Sequence, residues 1–220
     1  MLQDYNSIMN HEDFYREAEQ FLMQIDADWQ RLITEVGACQ FSPKAEREPY
    51  EALVRAVAYQ QLSTKAGDAI LKKFLLHFSA LPGTLPGAFA APEQLIKAEF
   101  EHLRAVGFSG RKIETLKGIA QGAIDGLVPS RAVADSMSNE ALISQLVTLK
   151  GIGQWTVEMM LMFTLERMDI LPADDLGIMQ GYQRLKRLTA PPRKKELAEI
   201  GMAWSPYRSI ASWYLWRVPK

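Results

Sequence analysis

LVTLKGIGQWTVEMML, residues 146–161, is the stretch whose reading decides the fold. It reads as helix, tight Gly-x-Gly hairpin, helix, a unit covering about 142–167. Gly151 and Gly153 permit positive φ and close backbone approach. The helix that follows presents N–H groups from about Gly153 to Thr156, and its dipole favours an anion there. A phosphate can therefore be held at Gly151, Gly153, Gln154 and Thr156 with no basic side chain. Alone, a Gly-x-Gly is better read as a plain inter-helix turn with a glycine cap, so the flanking sequence has to decide.

Working outward, apolar residues recur at helical spacing almost everywhere. Phe14, Ala18, Phe21 and Leu22 mark one helix, and Trp29, Leu32, Ile33 and Val36 a second. Pro49 stands at the first position of a helix through Leu53, Val54 and Val57. Ser63 and Ser109 are N-caps for helices over about 64–78 and 111–124, and Ser138 starts another that ends near Val147. Pro82, Gly83, Pro86 and Gly87 mark a loop, and Pro92 opens the next helical stretch. Further helices are expected over about 154–167, from Asp174 through Arg187, and near 193–202 and 206–217. Alternating strand-like runs are nearly absent, which makes the class all-α.

Composition narrows the function. The chain has 220 residues, enough for one large domain or two small lobes. No apolar run approaches the roughly 20 residues of a membrane span. The first ten residues lack a basic segment followed by an apolar one, so no secretory signal is expected. Cys39 is the only cysteine. That excludes a disulfide within the chain, a thiolate zinc site and a cysteine-held iron–sulfur cluster, and it fits a reducing cytoplasm. The formal charge of −1 lacks the basic excess typical of nucleic-acid binders, so any such surface must gather its cations on one face. His11, His77 and His102 show no metal-ligand spacing.

About twenty residues past the hairpin stands LPADDLGI, residues 171–178. Hairpin plus glycine- and proline-containing loop ending in an aspartate resembles the helix-hairpin-helix DNA glycosylase superfamily. Within it the pattern is most similar to the 3-methyladenine DNA glycosylase II branch. Three further blocks agree: AYQQLSTKA (58–66), GFSGRK (107–112) and WSPYRS (204–209). The blocks fall in the family's order across about 25–217, far more specific than the hairpin alone. The resemblance implies one domain of two helical lobes flanking a DNA-facing cleft, in a compact form without the sheet-containing N-terminal subdomain of longer relatives.

The resemblance also assigns roles. Asp175, directly before Leu-Gly-Ile, falls at the catalytic position, where a fixed carboxylate stabilises the oxocarbenium-like state formed as the base leaves. Asp174 is then expected to be the helix cap. Bifunctional relatives carry a lysine two residues after the second hairpin glycine; that position is Trp155, and Lys150 lies before the glycines. Hydrolysis without strand cleavage follows. Trp155, Tyr207 and Met159 are expected to line the pocket for an extruded base, and an aromatic face attracts a cationic alkylated base over its neutral parent. Trp29, Trp213 and Trp216 are read as core. Gln61, with Leu62 and Ser63, matches the wedge that fills the gap left by the flipped nucleotide, although capping explains Ser63 equally well. Lys65, Arg111, Lys112 and Arg208 are candidates for phosphate contacts, against the plainer reading of solvated charges. The run Arg193-Lys194-Lys195 reads as an exposed helix start.

In related hairpins backbone carbonyls hold a monovalent cation, here those of Val147, Leu149 and Ile152. No organic cofactor is implied, and the expected partner is damaged duplex DNA bound by a monomer. Three alternatives stay open at this point: a glycosylase for oxidised or deaminated bases, a silent DNA-binding module, and a helical scaffold.

Overall fold

The computed structural model describes residues 11–80 and 88–219; the expected loop at Pro82–Gly87 lies outside them. Every regular element among the described residues is helical. The chain divides into two compact units, residues 1–43 with 166–220, and residues 44–165.

The unit of residues 44–165 carries α3 (Pro49–Tyr59), α4 (Thr64–Ser79), α5 (Pro92–Lys97), α6 (Phe100–Val106), α7 (Gly110–Ile124), α8 (Arg131–Ser136), α9 (Asn139–Leu146) and α10 (Gln154–Phe163). Helix α7 packs on α3 and α5 and buries Ile113, Leu116, Ile119 and Ala120. Helix α3 contributes Leu53, Val54 and Val57 to the same core. Each of these isoleucine, leucine and valine side chains gains about 1.5–3 kcal/mol on leaving water. Serine caps start the helices as expected: Ser63 Oγ accepts from Ala66 N, Ser109 Oγ from Lys112 N and Ser138 Oγ from Ala141 N. Arg131 secures the lower part of the unit, donating to the carbonyls of Ala45 (2.7 Å) and Thr164 (2.6 Å). Helix α10 stops at Phe163, four residues short of the expected end. Thr164 N and Leu165 N both turn back to Met160 O, and Glu166 adopts φ 55°, a conformation that cannot continue a right-handed helix.

The other unit carries α1 (His11–Ile25), α2 (Ala27–Val36), α11 (Leu176–Lys186), α12 (Lys194–Ile200), a 3-10 turn (Gly201–Trp204) and α13 (Arg208–Leu215). Asp26 caps α2 through the amides of Asp28 and Trp29. Trp29 and Trp204 meet edge to face, with ring centroids 5.4 Å apart, in the middle of the core. Lys186 at the end of α11 reaches Asp26 and Asp28 and ties α11 to α2. Gly181 lets α11 lie directly against α13, because a Cβ there would overlap the Leu215 carbonyl.

Candidate active site

The hairpin between α9 and α10 is a tight chain reversal. Leu149 N donates to Leu146 O and Ile152 N to Leu149 O, each at 3.1 Å. Gly151 adopts φ +86°, and a Cβ there would overlap the Thr115 hydroxyl of α7. Glycine is needed at this position twice over, for the dihedral and for the approach. Gly153 caps α10 with its backbone only and opens to solvent. Leu149 and Ile152 are buried and anchor the turn.

The segment between α3 and α4 packs beside this hairpin. Gln60 has φ −50° and ψ 127°, Gln61 has φ 57°, and Leu62 N donates to Tyr59 O at 3.1 Å. These values define a type II turn, which ordinarily wants glycine at its third residue. A glutamine held left-handed costs about 1–2 kcal/mol, and such strain concentrates at functional sites. The turn presents Gln61 and Leu62 outward, Leu62 being 42% exposed. It is fixed from three sides. Gln60 Nε2 donates to Gly151 O (3.2 Å), Lys112 Nζ donates to Ala58 O (3.2 Å) and Gln60 O (2.8 Å), and Tyr59 donates from its hydroxyl to Asp68.

Several expected phosphate contacts have other work. Lys112 caps the C-terminal carbonyls of α3, and burial pushes its ammonium below the usual lysine range. Thr156 is buried, and its amide closes onto Gly153 O at 3.0 Å. Gln154 Nε2 donates to Glu158 Oε1 at 2.8 Å. Arg208 grips Asp169 as a fork, Nε to Oδ1 at 2.6 Å and Nη2 to Oδ2 at 3.0 Å, while Ser205 Oγ adds 2.8 Å to the same carboxylate. Burial opposes ionisation of Asp169, but the bonds from Arg208 and Ser205 outweigh it and hold the carboxyl below its ordinary value. Lys65 and Arg111 are exposed, as a phosphate contact requires.

Asp175 is itself the N-cap of α11. Its Oδ1 accepts from Ile178 N (2.9 Å) and from Trp216 Nε1 (2.9 Å). The capping role expected of Asp174 is thus Asp175's, and Asp174 instead pairs with Lys194 at 3.1 Å on the surface. Trp216, read from sequence as core, is half-buried and hydrogen-bonded to this carboxylate. No local signal ties it to Asp175, 41 residues away. Trp29 and Trp213 are buried, as expected.

Of the expected pocket residues, Trp155 is 40% exposed at the start of α10, and Met159 is half-buried one turn on. Tyr207 has a different setting. It is buried among Phe14 and Phe21, whose ring centroids lie 5.3 and 5.2 Å away, and its hydroxyl donates to Glu17 at 2.7 Å.

An all-helical frame carrying a Gly-x-Gly hairpin and a loop-borne, N-capping aspartate is the combination that one repair class is built on. The chain belongs to the HhH-GPD superfamily of base excision DNA repair proteins, whose family profile matches residues 54–206. Over 205 residues it is 44% identical to DNA-3-methyladenine glycosylase 1 of Schizosaccharomyces pombe, covering 93% of this chain and 87% of that one. It is 35% identical to the alkylbase DNA glycosidase-like protein mag2 of the same yeast, covering 96% of this chain and 97% of that one. Among solved structures it resembles the S. pombe 3-methyladenine DNA glycosylase Mag1 in complex with abasic DNA, with TM-score 0.81 and 45% identity. That match covers 91% of this chain and 95% of Mag1.

Proposed function

We propose that the protein is a monofunctional DNA glycosylase that removes alkylated bases of the 3-methyladenine and 7-methylguanine type from duplex DNA. The observation that carries this reading is the setting of Asp175, a carboxylate fixed by two N–H donors at the head of α11 in a chain of this superfamily. The hairpin amides around Gly151 and Gly153 hold a backbone phosphate with the dipole of α10, which offsets the absence of a basic excess. Lys65 and Arg111 add exposed cations. Gln61 and Leu62, raised on the strained turn, enter the stack as the damaged nucleotide leaves it. Trp155 offers its exposed face to the extruded cationic base.

Alkylation at a ring nitrogen places positive charge on the base before reaction. When the glycosidic C1′–N bond breaks, its electron pair goes to the base and neutralises that charge. Positive charge then develops on the sugar, where the fixed carboxylate of Asp175 stabilises it. Water adds to C1′ and loses a proton, leaving an abasic site in an intact strand. Trp155 replaces the amine that would attack the sugar and lead to strand cleavage.

The carbonyls of Val147, Leu149 and Ile152 suit a monovalent cation at the hairpin. They are neutral, hard oxygen donors, and Leu149 O keeps a second lone pair after accepting Ile152 N–H at 3.1 Å. Such an ion would add positive charge beside the phosphate. Burial pushes the Cys39 thiol up to about 12, leaving it inert.

The test is release of methylated bases from methylated duplex DNA by wild type and Asp175→Asn side by side. The expected result is release of 3-methyladenine or 7-methylguanine by wild type, with only a slow residual single-turnover rate left in Asp175→Asn and duplex binding retained by both. Release by Asp175→Asn at the wild-type rate overturns the mechanism. A strand nick without added base or nuclease overturns the monofunctional assignment.

A further inference from the structure

Resting on that glycosylase reading, we infer that Trp216 is the positioning residue for Asp175, its indole N–H fixing the plane of the reacting carboxylate, with Gly177 as the clearance that lets the two meet. A capping aspartate bonded only to its own helix, here through Ile178 N, remains able to turn about its Cβ–Cγ bond. The second donor, Trp216 Nε1 at 2.9 Å, comes from beyond the end of α13 and lands on the same Oδ1. Two donors from independent elements on one oxygen leave the carboxylate a single orientation. Bonds to an ionised acceptor are also the stronger kind.

Gly177 supplies the independent observation. It lies inside α11 and is not among the positive-φ glycines, so its backbone conformation is open to any residue. Glycine is disfavoured in a helix relative to alanine. A Cβ at Gly177 would stand 2.9 Å from Trp216 Cδ1 and 3.0 Å from Asp175 Oδ1. The missing side chain is therefore the space in which indole and carboxylate make contact. Stabilisation of a developing charge depends on where the carboxylate sits, and a displacement of about 1 Å costs on the order of 10²-fold in rate.

Trp216→Phe removes the N–H and keeps an aromatic ring. In single-turnover release of 3-methyladenine from methylated duplex, this variant is expected to slow the reaction on the order of 10²-fold while affinity for an abasic-site duplex stays at the wild-type value. Placed on Asp175→Asn, the same change should cost nothing further, because a group acting through Asp175 has nothing left to act on. Gly177→Ala, which keeps both partners and forces them apart, should lower the rate without lowering affinity. The same fold-loss from Trp216→Phe in both backgrounds, or no loss in the wild-type background, overturns the inference.

A second readout needs no activity. The Trp216 indole ¹H–¹⁵N resonance, assigned by its disappearance in Trp216→Phe, should move upfield in Asp175→Ala as the bond to the carboxylate is lost. An unmoved resonance overturns the inference. If wild type releases no base, the glycosylase reading fails while this resonance still decides whether Trp216 holds Asp175.

Discussion

Gly151→Ala probes the hairpin where its geometry is most demanding. Two costs add at this position. Alanine at φ +86° carries about 1–2 kcal/mol of backbone strain. The new methyl overlaps the Thr115 hydroxyl and crowds Thr115 Cγ2 at 3.0 Å, and forcing such a contact into a packed site costs about 1–3 kcal/mol. Alanine's smaller unfolded-state entropy returns about 0.4–1 kcal/mol. A net destabilisation of about 2–4 kcal/mol follows, which lowers the melting temperature by roughly 10 °C in a chain of this size. Urea and thermal melts of Gly151→Ala, Thr115→Ala and the double variant separate the two costs. Thr115→Ala removes Oγ1 and Cγ2 and leaves only Cβ, 3.2 Å from the new methyl. The double variant should therefore be more stable than the sum of the single changes predicts, by about 1–2 kcal/mol. The strain in φ should remain. Additivity within about 0.5 kcal/mol, or a Gly151→Ala melt matching wild type, refutes the reasoning.

Three further outcomes follow from side chains with identified partners. Lys112→Met strips two carbonyls of their cap and should destabilise the protein by about 1–3 kcal/mol. It should also leave the salt dependence of duplex binding unchanged, whereas Lys65→Ala or Arg111→Ala should lower the logarithmic salt slope by about 1; binding titrations from low to moderate salt make the comparison. Arg208→Met breaks the fork to Asp169. That carboxyl is held below its ordinary 3.8, so the unfolded chain binds protons there before the folded one does. The fork's contribution is complete above pH 3.8 and is lost as pH falls through the depressed value. The stability gap between wild type and Arg208→Met, read from urea melts across pH, should be constant near neutrality and shrink in acid. Gln61→Gly relieves the left-handed strain and should leave stability unchanged or raised by up to about 1 kcal/mol, while the wedge role proposed for Gln61 requires base release to fall. A variant that is less stable and fully active contradicts the role of the turn.

Much of this protein was determined by the sequence itself, wherever the deciding interactions span one helical turn. The caps at Ser63, Ser109 and Ser138 each bond an amide three residues on, so a serine ahead of an apolar period specifies both the helix start and the bond that stabilises it. The hairpin glycines and the LPADDLGI stretch were legible for the same reason. A demanding backbone conformation, or an aspartate beside a helix start, is written in neighbouring residues. Even so, the choice between Asp174 and Asp175 as cap lay outside that range, since it depends on which residue the preceding loop brings into register. Tertiary structure alone decided which charges are available. Lys112 finds its carbonyls 52 and 54 residues back, and Arg208 its carboxylate 39 residues back. Nothing in the composition of GFSGRK or WSPYRS distinguishes a cation spent on the fold from one left for a phosphate. Trp216 is the sharpest case. At helical spacing beside Trp213 it reads as core, and its bond to Asp175 exists because Gly181 lets α11 lie against α13 and Gly177 leaves room for the indole. Local propensity writes the helices, while the partner of a long side chain is set by which surfaces pack together.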